Sequence, residues 1–141
     1  VAVANPLRIA DKAYVKQSIG KTGVIILDVR SPEEYQGSIK STQRVGHIPG
    51  AINLDWVNNL TMIEGVAKMK PAIELSRLYE SLGVTTDKEI IVHCQTGVRA
   101  SQTYFTLKYL GYGQVRLYDG SWEEWGNDPT LPLEVGKASK P

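Results

Sequence analysis

The chain has 141 residues, the usual length of a single domain, and 42% of them are hydrophobic while 22% are charged. This composition is typical of a globular protein and excludes intrinsic disorder. Sixteen Lys and Arg residues against 15 Asp and Glu give a formal charge of +1, too balanced for a dedicated nucleic-acid or acidic-membrane surface. No apolar run is long enough to predict a transmembrane helix.

Predicted strands and helices alternate from the start of the chain. A short strand at residues 7–9 precedes a helix at residues 11–19. Continuous β-branched runs at residues 24–27 and 90–92 predict strands without polar alternation, which is typical of a parallel sheet covered on both faces. Two weaker strands complete the predicted sheet, at residues 51–54 and 115–118.

Two longer helices are predicted in the second half of the chain. Pro71 suits a first helical position and Gly83 an end, and between them apolar side chains recur at i, i+3, i+4 and i+7. A similar apolar face predicts a helix at residues 100–111. The alternation predicts an α/β fold: a single domain with a central, mostly parallel five-stranded sheet and helices on both faces.

The two ends of the chain set the predicted domain boundaries. Residues 1–6 are interpreted as a linker or a processed N-terminus, because the chain begins at Val1 instead of methionine. Residues 7–135 form the predicted domain. Residues 136–141 form a loose C-terminal tail in this interpretation.

Cys94 is the only cysteine of the chain. It excludes an internal disulfide and a zinc site built on several cysteines. A lone thiol favours a reducing compartment, so the cytoplasm is the expected location. On composition alone, a single cysteine is more often a small buried hydrophobe than a nucleophile.

The segment around Cys94 reverses that expectation. A buried strand ends at the cysteine, four residues form a turn, and Arg99 opens the next helix. Ligands of open parallel sheets bind at the carboxyl ends of strands, where backbone N–H groups and a helix N-terminus hold anions. Gly97 permits a turn conformation that a side chain would forbid. These groups favour the thiolate of Cys94 and predict an anionic substrate beside it.

Four separated motifs together resemble the rhodanese family of sulfurtransferases over nearly the whole chain. They lie at residues 27–35, 46–51, 94–99 and 118–125, in the order in which the family has them. The last motif and the proline-rich segment after it are most similar to the C-terminal, catalytic half of tandem thiosulfate sulfurtransferases. The resemblance implies a single rhodanese-like domain, with a further, N-terminal rhodanese domain in the parent chain.

The resemblance also implies the reaction, in which Cys94 is the catalytic nucleophile. The cysteine takes the outer sulfur of thiosulfate as a persulfide and passes it to cyanide or to a thiol acceptor. The implied substrate-binding residues are Gln95, Thr96, Gly97, Val98 and Arg99. No metal or organic cofactor is implied, because the cysteine sulfur carries the transferred atom itself. Neither nucleic acid nor a membrane is an expected partner.

Two other functions stay open from the sequence. Cell-cycle phosphatases and arsenate reductases resemble this fold, but their loop is one residue longer than the six residues from Cys94 to Arg99. In the family comparison the shorter loop goes with sulfur substrates and the longer one with phosphate or arsenate. The other alternative is a non-enzymatic sulfur-relay or regulatory module, since fold alone does not fix function.

Polar residues outside the loop are interpreted mainly as structural support. Asp28 and Arg30 are expected to form a buried pair beneath Cys94. His47 is expected to fix its Gly-His-Ile-Pro-Gly turn by a hydrogen bond. His93 is expected to point away from the pocket, because neighbouring strand residues face opposite sides.

Glu34 is a departure from part of the family. At this position, just before Tyr35, some two-domain thiosulfate enzymes carry an arginine that binds the substrate. The glutamate removes one contact to an anion and leaves Arg99 as the expected cationic partner of the substrate. It also leaves the identity of the sulfur donor open.

Overall fold

The computed structural model describes residues 5–137, and a parallel sheet lies at its centre. The strands, in chain order, are β1 (Val24–Asp28), β2 (Ile52–Asn53), β3 (Leu60–Ile63), β4 (Val66–Met69), β5 (Glu89–His93) and β6 (Val115–Leu117). The central sheet has four parallel strands in the order β2-β1-β5-β6, while β3 and β4 form a separate antiparallel hairpin. The helices are α1 (Lys12–Ser18), α2 (Pro32–Gln36), α3 (Ala72–Ser81), α4 (Val98–Tyr109) and α5 (Ser121–Trp125).

β1 and β5 form the middle of the sheet because their side chains are apolar on both faces. Ile26 pairs with Ile91 and Leu27 pairs with Val92, and none of the four is more than 5% exposed. Successive residues point to opposite faces, so each strand contributes to two separate cores.

Helices cover both faces of the sheet, as predicted. On one face, α3 and α4 bury Leu75 and Leu107 against the strands. On the other face, α1, α2 and α5 bury Val15, Tyr35 and Trp125. No helix among residues 5–137 is long and apolar enough to span a membrane.

The prediction of a fifth strand at residues 7–9 is wrong, whereas the other four strands and the three helices are confirmed to within two residues. The 3-10 helix Pro6–Arg8 takes its place, and only Ile9 pairs with the sheet, in a single parallel bridge to Leu117. The proline lacks an N–H group, and Asn5 Oδ1 accepts a hydrogen bond from Leu7 N–H at 3.0 Å. The segment therefore satisfies its backbone locally instead of joining the sheet as a strand.

The β3–β4 hairpin is absent from the predicted elements. Its turn residues Glu64 and Gly65 have φ angles of +51° and +77°, which suits a tight hairpin turn. Met62 and Val66 are 65% and 57% exposed, so the hairpin buries few of its apolar side chains. Without one buried face, its strands lack the clean alternation that identifies a strand in a sequence.

Residues 131–136, which we call the strap, cross the loop that contains Gly46 and His47. The backbones of His47 and Glu134 pair in an antiparallel bridge, with N···O distances of 2.8 and 2.9 Å. A Cβ atom on Gly46 would overlap the carbonyl oxygen of Glu134, so only glycine fits at that position. The strap therefore holds this loop through main-chain contacts.

The chain ends are described only in part. Gly136, the first residue of the predicted tail, donates its N–H to the carbonyl oxygen of Gln36 at 2.9 Å. Residues 138–141 of that tail and residues 1–4 of the predicted linker lie outside the described part of the chain. The boundaries placed there stay predictions.

Candidate active site

Cys94 lies at the carboxyl end of β5, the strand between β1 and β6. Its side chain is 1% exposed, and its Sγ accepts a hydrogen bond from Gly97 N–H at 3.1 Å. α4 begins at the next residue, Val98, so the positive end of the helix lies beside the sulfur. A main-chain donor and a helix N-terminus thus stand where a sulfur anion would form.

Gly97 is required by both its conformation and its surroundings. Its φ angle is +86°, a region that side chains disfavour. A Cβ atom there would lie 2.7 Å from Asp119 Oδ1 and 3.1 Å from the Asp119 carbonyl oxygen. Asp119, the second residue after β6, therefore packs directly against the turn that donates to the sulfur.

The start of α5 makes three hydrogen bonds to the loop. Ser121 Oγ accepts a hydrogen bond from Cys94 N–H at 3.1 Å. Trp122 N–H donates to the Cys94 carbonyl oxygen at 3.0 Å, and Glu123 N–H donates to the Gln95 carbonyl oxygen at 2.9 Å. α5 thus holds the backbone at the cysteine from the side opposite α4.

The side chains of the predicted substrate-binding residues differ in their roles. Gln95 bonds to Ser41 Oγ at 3.0 Å and to Glu123 at 3.1 Å, so its amide spans the rim of the loop. Thr96 and Val98 are exposed, and Val98 exposes 74% of its surface. The loop therefore presents its main chain inward and these side chains outward.

Arg99 is already paired with a carboxylate. Its Nη1 and Nη2 donate to Glu34 Oε2 and Oε1 at 2.8 and 2.9 Å, a bidentate ion pair. Glu34 also accepts a hydrogen bond from Ser31 N–H at 3.0 Å, which caps α2. The hydrogen bond from Arg99 lowers the pKa of Glu34 to about 2. The guanidinium expected to bind substrate thus ties the start of α4 to the start of α2.

Glu34→Gln is expected to remove a contribution to the free energy of unfolding that is present at neutral pH and lost in acid. The pKa of Glu34 falls from 4.5 to about 2 on folding, so its contribution is complete above the ordinary pKa. That contribution is lost as the pH falls from about 4.5 toward 2. In urea denaturation, the wild type should exceed Glu34→Gln in unfolding free energy at pH 7, and the difference should shrink through this window. Glu64→Gln, in the exposed hairpin turn, is the control. A difference constant from pH 7 to pH 2 would contradict the ion pair.

Asp28 and Arg30 form a buried ion pair, 0% and 1% exposed. Arg30 Nη2 lies 2.6 Å from Asp28 Oδ2 and also donates to the Gly46 carbonyl oxygen at 2.8 Å. Its guanidinium stacks 4.5 Å from the ring centroid of Trp122. Burial alone would raise the pKa of Asp28, but His93 and Arg30 outweigh burial and hold that pKa below its ordinary value. The pair braces β1 to the Gly46 loop and to α5.

The two histidines contact different parts of the scaffold. His93 is fully buried beside Asp28, on the face of the sheet opposite the Cys94 side chain, and burial lowers its pKa. His47 Nδ1 lies 2.8 Å from the Tyr35 carbonyl oxygen, and the His47 and Tyr35 rings stack at 3.7 Å. Both histidines therefore contact the scaffold around the loop.

The sequence of this chain matches a protein-family model over most of its length. The model of the rhodanese-like domain matches residues 11–128. The chain belongs to the rhodanese family. The matched residues run from the start of α1 to the segment after α5, so this rhodanese domain includes every strand and helix around Cys94.

Curated relatives of this rhodanese domain are named as enzymes or carriers of sulfur. A thiosulfate sulfurtransferase of Pseudomonas aeruginosa is 39% identical over 89% of this chain and 45% of its own length. A thiosulfate sulfurtransferase of Corynebacterium glutamicum is 41% identical over 92% of this chain and 46% of its own. The sulfur carrier protein TtuD of Thermus thermophilus is 42% identical over 87% and 45%. The chain thus spans less than half the length of these relatives.

Solved structures share the fold of this rhodanese domain. The anaerobic ergothioneine biosynthesis enzyme of Chlorobium limicola, in complex with trimethyl histidine, superimposes with a TM-score of 0.84 at 27% identity, over 94% of this chain and 33% of its own. A structure of EanB with ergothioneine covalently linked with a cysteine persulfide gives a TM-score of 0.85 at 27% identity, over 95% and 33%.

Two features of the site are absent from the sequence prediction. The ion pair between Glu34 and Arg99 joins residues 65 positions apart. A glutamate directly before Tyr35, combined with an arginine in the loop, was the available signal for it. The contact from Ser121 to Cys94 had a weaker signal, a Gly-Ser pair in the turn after a strand, which indicates local backbone hydrogen bonding.

Proposed function

We propose that this rhodanese domain is a thiosulfate sulfurtransferase that carries sulfur on Cys94. The observation that carries the proposal is the hydrogen bond from Gly97 N–H to Cys94 Sγ at the head of α4, which favours a sulfur anion at this place. The names of the curated relatives support thiosulfate as the donor. We also propose that the parent protein contains a further, N-terminal rhodanese domain, which would act together with this one.

The proposed reaction consists of two displacements at sulfur. The Cys94 thiolate attacks the outer sulfur of thiosulfate, the sulfur–sulfur bond of thiosulfate breaks, and sulfite leaves with the electron pair. The persulfide anion that remains on Cys94 then gives its outer sulfur to cyanide or to a thiolate, and the Cys94 thiolate returns. Charge and atoms balance in both steps, so the proposal includes no metal or organic cofactor.

In this proposal the main chain of residues 95–98 is the anion site. Main-chain donors act without reorganisation, since the backbone is held before the substrate arrives. Arg99 is engaged by Glu34, and Arg30 by Asp28, so both guanidinium groups act by holding the scaffold. Asp28, Arg30 and His47 accordingly support the loop and the segments next to it.

Sulfur relay to a protein thiol is the second candidate function. A 42% identical relative is named a sulfur carrier protein, which favours an acceptor other than cyanide. Relay requires the same Cys94 persulfide but predicts slow turnover with cyanide and fast transfer to a partner protein. A phosphatase or arsenate reductase remains the less favoured alternative, because the loop from Cys94 to Arg99 has six residues.

The proposal is tested by incubating the protein with thiosulfate and measuring its intact mass. The wild type should gain about 32 Da, one sulfur atom, and lose it again when cyanide is added. Cys94→Ser should gain nothing, since the hydroxyl is a far weaker nucleophile at neutral pH. If the wild-type mass stays unchanged and the protein hydrolyses an aryl phosphate in a Cys94-dependent way, the proposal of sulfur transfer fails and phosphatase activity takes its place.

A further inference from the structure

The contacts between α5 and the loop fix the orientation of two consecutive peptide planes. In a trans peptide the C=O of one residue and the N–H of the next point in opposite directions. Trp122 N–H holds the Cys94 carbonyl toward α5, so the N–H of Gln95 points away from α5. Glu123 N–H holds the Gln95 carbonyl in the same way, which turns the N–H of Thr96 away from α5.

Ser121 is the one side chain among these three contacts. Its hydroxyl donates to the Tyr118 carbonyl oxygen at 2.9 Å, which aims an oxygen lone pair at Cys94 N–H. The same peptide is held at its other end, because the His93 carbonyl oxygen accepts a hydrogen bond from Val29 N–H at 3.0 Å. The backbone on both sides of the cysteine is thus fixed.

The backbone of Ser121 is strained. Its φ angle is +54°, in the left-handed region that favours glycine, and its side chain is 0% exposed. Glycine would adopt this conformation at lower cost and would fill the same buried place without a hydroxyl. A strained serine whose hydroxyl bonds to the nucleophile's own backbone indicates a role beyond packing.

We propose that Ser121 is a positioning residue, which sets the Cys94 backbone so that successive N–H groups of the loop face the sulfur. The proposal rests on the sulfurtransferase function proposed above. Ser121 touches neither sulfur nor substrate in this role. Its hydroxyl acts on the peptide between His93 and Cys94, while the first N–H groups of α5 hold the next two peptide planes.

The test compares Ser121→Gly and Ser121→Ala with the wild type. Both variants should form the persulfide with thiosulfate about tenfold more slowly, and the pH profile of Cys94 alkylation should move about one unit higher in both. The thermal midpoint of Ser121→Gly should be higher than that of Ser121→Ala, because glycine relieves the strained φ angle and alanine keeps it. Ser18→Ala, which removes another buried hydroxyl bonded to a carbonyl oxygen, is the control and should behave as wild type in both chemical measurements.

The outcomes distinguish positioning from a purely structural role. If Ser121→Gly reacts at the wild-type rate and keeps the wild-type alkylation profile, the proposal is overturned. The proposal is also overturned if persulfide formation follows the thermal midpoints, so that it is slow in Ser121→Ala and normal in Ser121→Gly. If the wild type takes up no sulfur, the proposed function fails, and the alkylation profiles still decide the role of Ser121.

Discussion

Arg30→Met is expected to lower the free energy of unfolding by about 3–5 kcal/mol. The substitution keeps much of the apolar volume but leaves the fully buried Asp28 carboxylate without its bidentate partner. It also removes the donor to the Gly46 carbonyl oxygen and the cation that stacks on Trp122. Breaking one side of a buried pair costs far more than the pair itself contributes, because the remaining charge stays out of water.

The exposed ion pair between Lys12 and Asp128 provides the matched control. Its side chains are 40% and 21% exposed, so Lys12→Met should lower the free energy of unfolding by only a small fraction of the loss in Arg30→Met. The loss in Arg30→Met should also shrink between pH 7 and pH 4, since an unpaired buried Asp28 takes up a proton. Equal losses in the two variants, or a pH-independent loss in Arg30→Met, would contradict the assignment of a buried charged pair.

Gly97→Ala is expected to slow persulfide formation by about 100-fold or more. The new Cβ would lie 2.7 Å from Asp119 Oδ1 and would require φ near +86°, so the turn must shift. The shift moves the N–H that donates to Cys94 Sγ at 3.1 Å. Removing one preorganised donor from an oxyanion hole typically costs a hundredfold or more in rate.

Gly111 offers a matched control just beyond the other end of α4. Its φ angle is +90°, but no atom lies within 4 Å of the position of its Cβ. Gly111→Ala should therefore lose stability through its backbone conformation alone, and should keep the wild-type rate of mass gain with thiosulfate. Equal rates in the two variants would show that the turn at Gly97 can shift without consequence.

The parts of the fold that depend on local sequence were predictable. The apolar runs that form β1 and β5 allow burial on both faces, and this alone predicts a parallel sheet between helices. The same reasoning placed Cys94 at the end of a strand and Arg99 at the start of a helix. Glycine at position 97, between them, indicated the left-handed turn that the structure contains.

The missing parts depend on contacts between distant segments or on single hydrogen bonds. Arg99 ends the loop that we propose as an anion site, and nothing near it in sequence shows that Glu34 neutralises it. The segment after Pro6 is apolar enough for a strand, yet the hydrogen bond from Leu7 N–H to the Asn5 side chain stabilises a 3-10 helix there instead. Ser121 bonds to Cys94 because α5 packs beside β5, which only the assembled sheet reveals.

The strap has a practical consequence for anyone who trims this domain for expression. The family match ends at residue 128, before residues 131–136 begin. A fragment cut at that boundary would lose the main-chain partner of His47 and would uncover Gly46. The Gly46 carbonyl oxygen accepts a hydrogen bond from Arg30. Loss of the strap would therefore also disturb the buried ion pair of Arg30 with Asp28. A minimal recombinant fragment should therefore extend through Gly136, whose N–H still bonds to Gln36.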